Sequence, residues 1–290
     1  MTTRTCRSGF TLVELAIVLV IIGLIIGGVL VGQDLIKAAS IRSVITDVEK
    51  INAATTTFRS KYSGLPGDLL NTYATQFGLN STTSDVNRDG SAGKGDGTGI
   101  IEACAPIANG FGCETGLFWS DLSRVALIAS TYNTYTSTGT VTAGTLSNYS
   151  PRTRLRDAAY LSVFNSASRN YLALGSQAVG AALAGAAGTL TIDADTSTSG
   201  LTPLDARGID EKLDDGAPLT GTVVALKTGA LVANLDLTVN NGTTGFLNAG
   251  NASAAANRCV NGTTLSASYT STTDPFQTNP ACAISIRASF

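Results

Sequence analysis

The sequence predicts an α+β protein: one long N-terminal helix, transmembrane then amphipathic, packed on a C-terminal head with an antiparallel sheet. Three observations carry that prediction. Phe10 to Leu30 is an apolar run broken only by Thr11 and Glu14. Ile41, Val44, Ile45, Val48, Ile51, Phe58 and Tyr62 then recur at the spacing of one helix face. Beyond Pro66 the chain is punctuated by glycines, β-branched runs and the Asn-Gly pairs Asn241-Gly242 and Asn261-Gly262, which signal short strands and tight turns.

Composition narrows the function. The chain has 290 residues, of which 43% are hydrophobic and only 14% charged, with 5 Cys, no His and a net charge of −2. An average soluble domain carries about 25% charged residues. So weak a balance does not bind a phosphate backbone, and no nucleic-acid partner is expected. Without histidine, Ser-His-Asp and Cys-His catalysis and imidazole zinc sites are excluded.

The N-terminus sets the compartment. Residues 1–9 are short and polar, with Arg4 and Arg7 as the charges. Phe10 to Leu30 as a helix is about 31 Å long, close to the thickness of a bilayer's hydrocarbon core. The two arginines hold the short side in the cytoplasm and place the chain beyond the apolar run outside. A conventional secretory signal has an apolar core of about 7–15 residues and a small-residue cleavage site, and this segment fits neither. Glu14 is costly at membrane depth and needs a partner or a place among the headgroups. Gly23 and Gly27, like Gly28 and Gly32, share the four-residue spacing that lets membrane helices approach closely, against a background of ordinary glycine enrichment in such helices.

Ser8-Gly9-Phe10-Thr11-Leu12-Val13-Glu14 and the apolar helix after it resemble the signal of type IV pilins and type II secretion pseudopilins. The resemblance implies that a prepilin peptidase cuts between Gly9 and Phe10 and methylates the new amine. It also implies that Glu14 pairs with that amine on an adjacent subunit, which makes two costly charges tolerable together and sets the axial stagger. Other pilin or pseudopilin subunits and the inner membrane are then the partners, and nothing in the chain is catalytic. Leu65-Pro66-Gly67-Asp68, Phe118-Trp119-Ser120-Asp121-Leu122 and the stretch from Leu201-Thr202-Pro203 to Asp214-Asp215-Gly216 are similar to large-headed prepilin-like proteins.

The predicted organisation is a leader over residues 1–9, an assembly helix over 10–62 and an extracytoplasmic head over 63–290. No proline interrupts Phe10 to Tyr62, so one helix of about 80 Å is expected, ending at Gly64-Leu65-Pro66-Gly67. Residues 77–100 read as a long loop and 116–130 as an amphipathic helix around Phe118, Trp119, Leu122, Val125, Ala126 and Ile128. Residues 155–186 are open between helix and strand. Thr202-Pro203 starts a short helix that should stop at Gly216, and Thr222–Leu226 and Leu231–Val239 read as strands.

Cys6 lies in the leader, leaving Cys104, Cys113, Cys259 and Cys282. Three pairings are open, and proximity favours Cys104–Cys113 with Cys259–Cys282. A four-thiolate zinc site competes, though no C-x₂-C pair is present. The C-terminal bridge resembles the disulfide-bounded loop of pilin heads. Asp85, Asn87 and Asp89 before Gly90, with Asp96 at the twelfth place, approach a calcium loop, so calcium is the one cofactor the sequence offers. A polar, turn-rich loop without metal is the competing reading. Ser91 and Lys94 form a nominal S-x-x-K, but the glycines around them oppose the helix that dyad needs. Asp210, Glu211, Asp214 and Asp215 alternate with Lys212 as the solvated face of a short helix.

The functions in view are a filament subunit made at the inner membrane and displayed in the periplasm or on the surface, a secretion pseudopilin, and an anchored periplasmic binding module that never polymerises.

Overall fold

The computed structural model describes residues 11–79, 88, 90, 94–102, 114–132, 146–155, 159–166, 168–176, 190–192, 201–226, 229–231, 259–261, 268–269 and 282–290. Its first element is the expected helix, α1, Leu12–Tyr62. It ends at Ser63, which is left-handed (φ 59°) and donates its N–H to Arg59 O at 2.9 Å, just ahead of the glycine-proline turn. The predicted stripe is buried at Ile41, Val44, Val48, Ile51, Phe58 and Tyr62, with Ile45 partly covered. The apolar face of the second half is therefore closed by the head.

Two short helices come next, α2 (Asn71–Gln76) and α3 (Glu114–Arg124). The sequence predicts α3 to reach residue 130, but it stops at Arg124. Ala126 is left-handed (φ 55°), and the N–H of Leu127 turns back to Leu122 O at 3.0 Å. Phe118, Trp119 and Leu122 are buried, and Val125 and Ile128 still pack from the turn beyond the helix.

The stretch 155–186, open between helix and strand in the sequence, contains a hairpin, β1 (Ala159–Ser166) and β2 (Arg169–Ser176). Its period-two signal is blurred because both faces are covered. Leu161, Val163, Leu172 and Leu174 enter the core, while Phe164 stacks on its cross-strand partner Tyr171 with ring centroids 5.5 Å apart.

Helix α4 (Pro203–Leu213) starts as predicted. Thr202 and Asp205 form a reciprocal capping box with proline in the first turn. The helix ends before Gly216, which is left-handed (φ 74°).

Strands β3 (Leu190–Ile192) and β5 (Gly229–Leu231) pair with each other, as do β6 (Val260–Asn261) and β7 (Ser268–Tyr269). The main sheet joins the hairpin to β4 (Val223–Leu226) and β8 (Ala283–Arg287) in the order β1-β2-β8-β4, all antiparallel. The last strand is thus central. Most of the predicted strand Leu231–Val239, Asn241-Gly242 and Gly262 lie outside the described residues.

Candidate functional site

The N-terminal half of α1 is the first candidate. Thr11 caps the helix: its Oγ1 accepts from the Glu14 N–H at 3.3 Å, and its own N–H and hydroxyl each donate to Glu14 Oε2 at 2.8 Å. The Glu14 carboxylate is thus folded onto the helix start, with both groups exposed. From there to Ile36 every large apolar side chain faces solvent, with Leu12 86%, Leu24 73% and Ile36 69% exposed. Such a stretch is long and apolar enough to cross a membrane. So large an exposed apolar surface suits contact with lipid or with other helices. At Gly23, Gly27, Gly28 and Gly32, an added β-carbon would meet nothing within 4 Å, so these notches are open in the single chain. Gly9 and Phe10 lie outside the described residues.

The head meets the rod at a neck formed by α1 and α4. Lys37 Nζ lies 3.3 Å from Asp205 Oδ1, and Ile41 is the first buried residue of α1.

The second candidate is a carboxylate cluster in which two of three acids, Asp68 and Glu114, are buried and Asp96 is half-buried. Asp68, Asp96 and Glu114 bring oxygens within 4.8 Å of one another. Asp68 comes from the turn after α1 and Glu114 from the first turn of α3, while Asp96 sits in the loop between them. Gly95, Gly97 and Gly99 are left-handed (φ 71°, 75° and 82°), which turns successive N–H groups inward. Asp68 Oδ1 accepts from Gly97 N (2.7 Å) and Thr98 N (3.2 Å), and its Oδ2 accepts from Gly99 N (2.7 Å). Glu114 accepts from Gly95 N at 2.7 Å and from Glu102 N at 2.8 Å. Asn170 takes Ile101 N at 2.9 Å and gives to Gly99 O at 3.1 Å, and Asn165 gives to Ile101 O at 2.9 Å.

Burial pushes Glu114 up to about 8, with the neighbouring Asp68 and Asp96 charges adding to the rise. Asp68 rises to about 6, mainly through burial and then through Asp96.

Beside the cluster, the buried Arg88 donates to Gly67 O (3.1 Å) and Leu69 O (2.9 Å) and pairs with the buried Asp121. Asp121 Oδ2 also accepts from Gly67 N at 2.7 Å.

Of the predicted calcium ligands, Asp85, Asn87 and Asp89 lie outside the described residues. Asp96 is placed beside Asp68 and Glu114, neither of which belongs to the calcium-loop spacing. Asp68 stands in plain view in Leu65-Pro66-Gly67-Asp68. The trio offers the hard oxygens a calcium ion favours. Both oxygens of Asp68 and of Glu114 already accept backbone N–H groups, so the cluster organises residues 95–102 with its own protein donors.

The helix-face reading of the α4 carboxylates needs correction. Asp210 is fully buried, accepting from Tyr269 Oη at 2.9 Å and from Gly216 N at 3.3 Å, because β7 packs over that side of α4. Burial raises its pKa to about 6. Asp214 accepts from Thr222 and Val223, and Asp215 accepts from Ala217 N (2.8 Å) and Thr220 Oγ1 (2.5 Å). These three acids come within 4.8 Å and shape the turn into β4.

Cys259 and Cys282 form a disulfide with Cα atoms 4.9 Å apart, and Cys104 and Cys113 lie outside the described residues. Cys282 also bridges Leu201, the residue before the α4 cap.

Residues 4–30 match the family model described as the prokaryotic N-terminal methylation motif, the prepilin signal of type IV pilins and pseudopilins. No curated protein and no solved structure matches the chain.

Proposed function

We propose that this chain, which carries a prepilin-type methylation signal, is a specialised subunit of a type IV pilus-like filament. The signal supports a pilin-like or pseudopilin protein. One observation carries the finer reading: the signal opens a rod whose apolar surface is bare up to Ile36, whereas the head covers α1 only from the Lys37–Ile41 neck onward. A soluble core helix does not leave such a surface unpartnered.

In this reading, prepilin peptidase cuts after Gly9 and methylates Phe10, and the rod waits in the inner membrane before stacking with other subunits. Apolar side chains bury against apolar side chains, and the glycine notches allow close approach. Glu14 leaves its local hold on Thr11 to pair with the new amine of a neighbour. The head, closed by its disulfide, faces outward and catalyses nothing. A piston-like pseudopilus of a secretion machine would use the same rod, and surface immunolabelling separates the two.

The deciding experiment follows Glu14→Ala in cells. Processing continues while incorporation into filaments is lost. Normal localisation and function of Glu14→Ala would instead identify an anchored module that does not polymerise.

A further inference from the structure

We infer that Lys37 is a positioning residue: it clamps the head to the rod at the neck and so fixes the head's orientation in the assembled polymer, an inference that rests on the filament reading above. The side chain of its partner Asp205 is only 6% exposed, and a carboxylate taken out of water needs compensation. Its two oxygens have separate tasks. Oδ2 accepts from Thr202 N at 3.2 Å and closes the α4 cap, while Oδ1 faces Lys37 Nζ at 3.3 Å.

Lys37 stands four residues before Ile41 and therefore on the same face of α1. Gly208 stands three residues after Asp205 on the matching face of α4, and a β-carbon there would come within 2.8 Å of Ile41 Cδ1. The neck is thus a two-point contact, an ion pair followed by a close apolar crossing. It lies at the lower edge of the head, since Leu35 and Ile36 just below are 66% and 69% exposed while Ile41 just above is 6% exposed.

The clamp is anchored on the head side. Leu201, next to the cap, exchanges two backbone hydrogen bonds with Cys282 (2.9 and 2.8 Å), and Cys282 is held by the disulfide and leads into β8. A head joined to one helix can tilt about it, and a charge pair at the lower edge opposes that tilt with the longest lever arm. Lys37 contributes through Asp205.

The test uses the full-length chain in detergent micelles with Lys37→Gln, Lys37→Arg, Asp205→Asn (which keeps an oxygen for the cap) and the Gln/Asn double variant. Amide hydrogen exchange is read at residues 37–45 and 203–213, and incorporation into filaments is read in cells. The expected result for Lys37→Gln is several-fold faster exchange at both segments, an unchanged β1–β2 hairpin, intact processing and reduced incorporation. Lys37→Arg retains both properties, and the double variant is no worse than the poorer single. Unchanged exchange in Lys37→Gln, additive single effects, or loosened necks that still incorporate normally would each overturn the clamp. Failure of the filament reading shows separately, as normal function of Glu14→Ala, which the exchange data do not touch.

Discussion

Gly208 of α4 passes Ile41 of α1 so closely that a β-carbon on the glycine would stand 2.8 Å from Ile41 Cδ1. Gly208→Val places three more carbons at this crossing, so Ile41 must turn its Cδ1 aside or the two helices must part. The expected loss is about 1–3 kcal/mol of stability, read as a lower denaturation midpoint of the full chain. Gly23→Ala is the contrast: with nothing near its β-carbon in the single chain, it should strengthen the isolated helix by up to about 1 kcal/mol.

The buried Arg88 is ion-paired with Asp121, itself buried. Asp121→Ala strands the guanidinium in the core and removes the acceptor for Gly67 N. Removing one member of a buried pair costs about 3–5 kcal/mol, so chemical denaturation should show one of the larger single-residue losses in the head.

Glu114 gives the head a pH signature. Its folded pKa of about 8 stands above the ordinary 4.5, so the folded chain holds the proton more tightly than the unfolded one. The associated stabilisation is complete below about 4.5 and is lost as pH rises through about 8. Asp68 and Asp210, both near 6, act in the same direction at lower pH. Melting temperatures of wild type and Glu114→Gln, compared between about pH 5 and pH 8, should diverge because only the wild type loses this contribution. Parallel curves would contradict the assignment.

The Cys259–Cys282 bridge closes a loop with a sequence separation of 23. Replacing both cysteines by serine should lower stability by about 3 kcal/mol in the chain-entropy picture. Denaturant unfolding of the oxidised wild type and the oxidised serine variant measures it as a difference in midpoint.

Much of the fold is legible in the sequence because local signals agree with tertiary demand. The 3.6-residue stripe from Ile41 to Tyr62 and the Thr202-Pro203-Asp205 start of α4 each stand where the periodicity and capping chemistry place them. The β1–β2 hairpin is not legible, because burial of both faces erases the alternation that marks a strand. The carboxylate cluster is only half legible. Asp96 belongs to a readable loop motif, but its neighbours Asp68 and Glu114 come from distant elements, and no local spacing announces a contact made by tertiary folding. The same reason hides the Lys37–Asp205 neck. Asp210 shows the converse error: an acid-rich helix face looks solvated until another strand is seen to cover it.

The central claim is that a trimmed apolar rod drives polymerisation, and the mature N-terminus tests it most directly. Intact mass and N-terminal sequencing of the protein recovered from cells should give a chain that begins at N-methylated Phe10, with Glu14 four residues further on. A native chain that keeps its first residues through Gly9, or one cut downstream of the apolar stretch, would contradict the account.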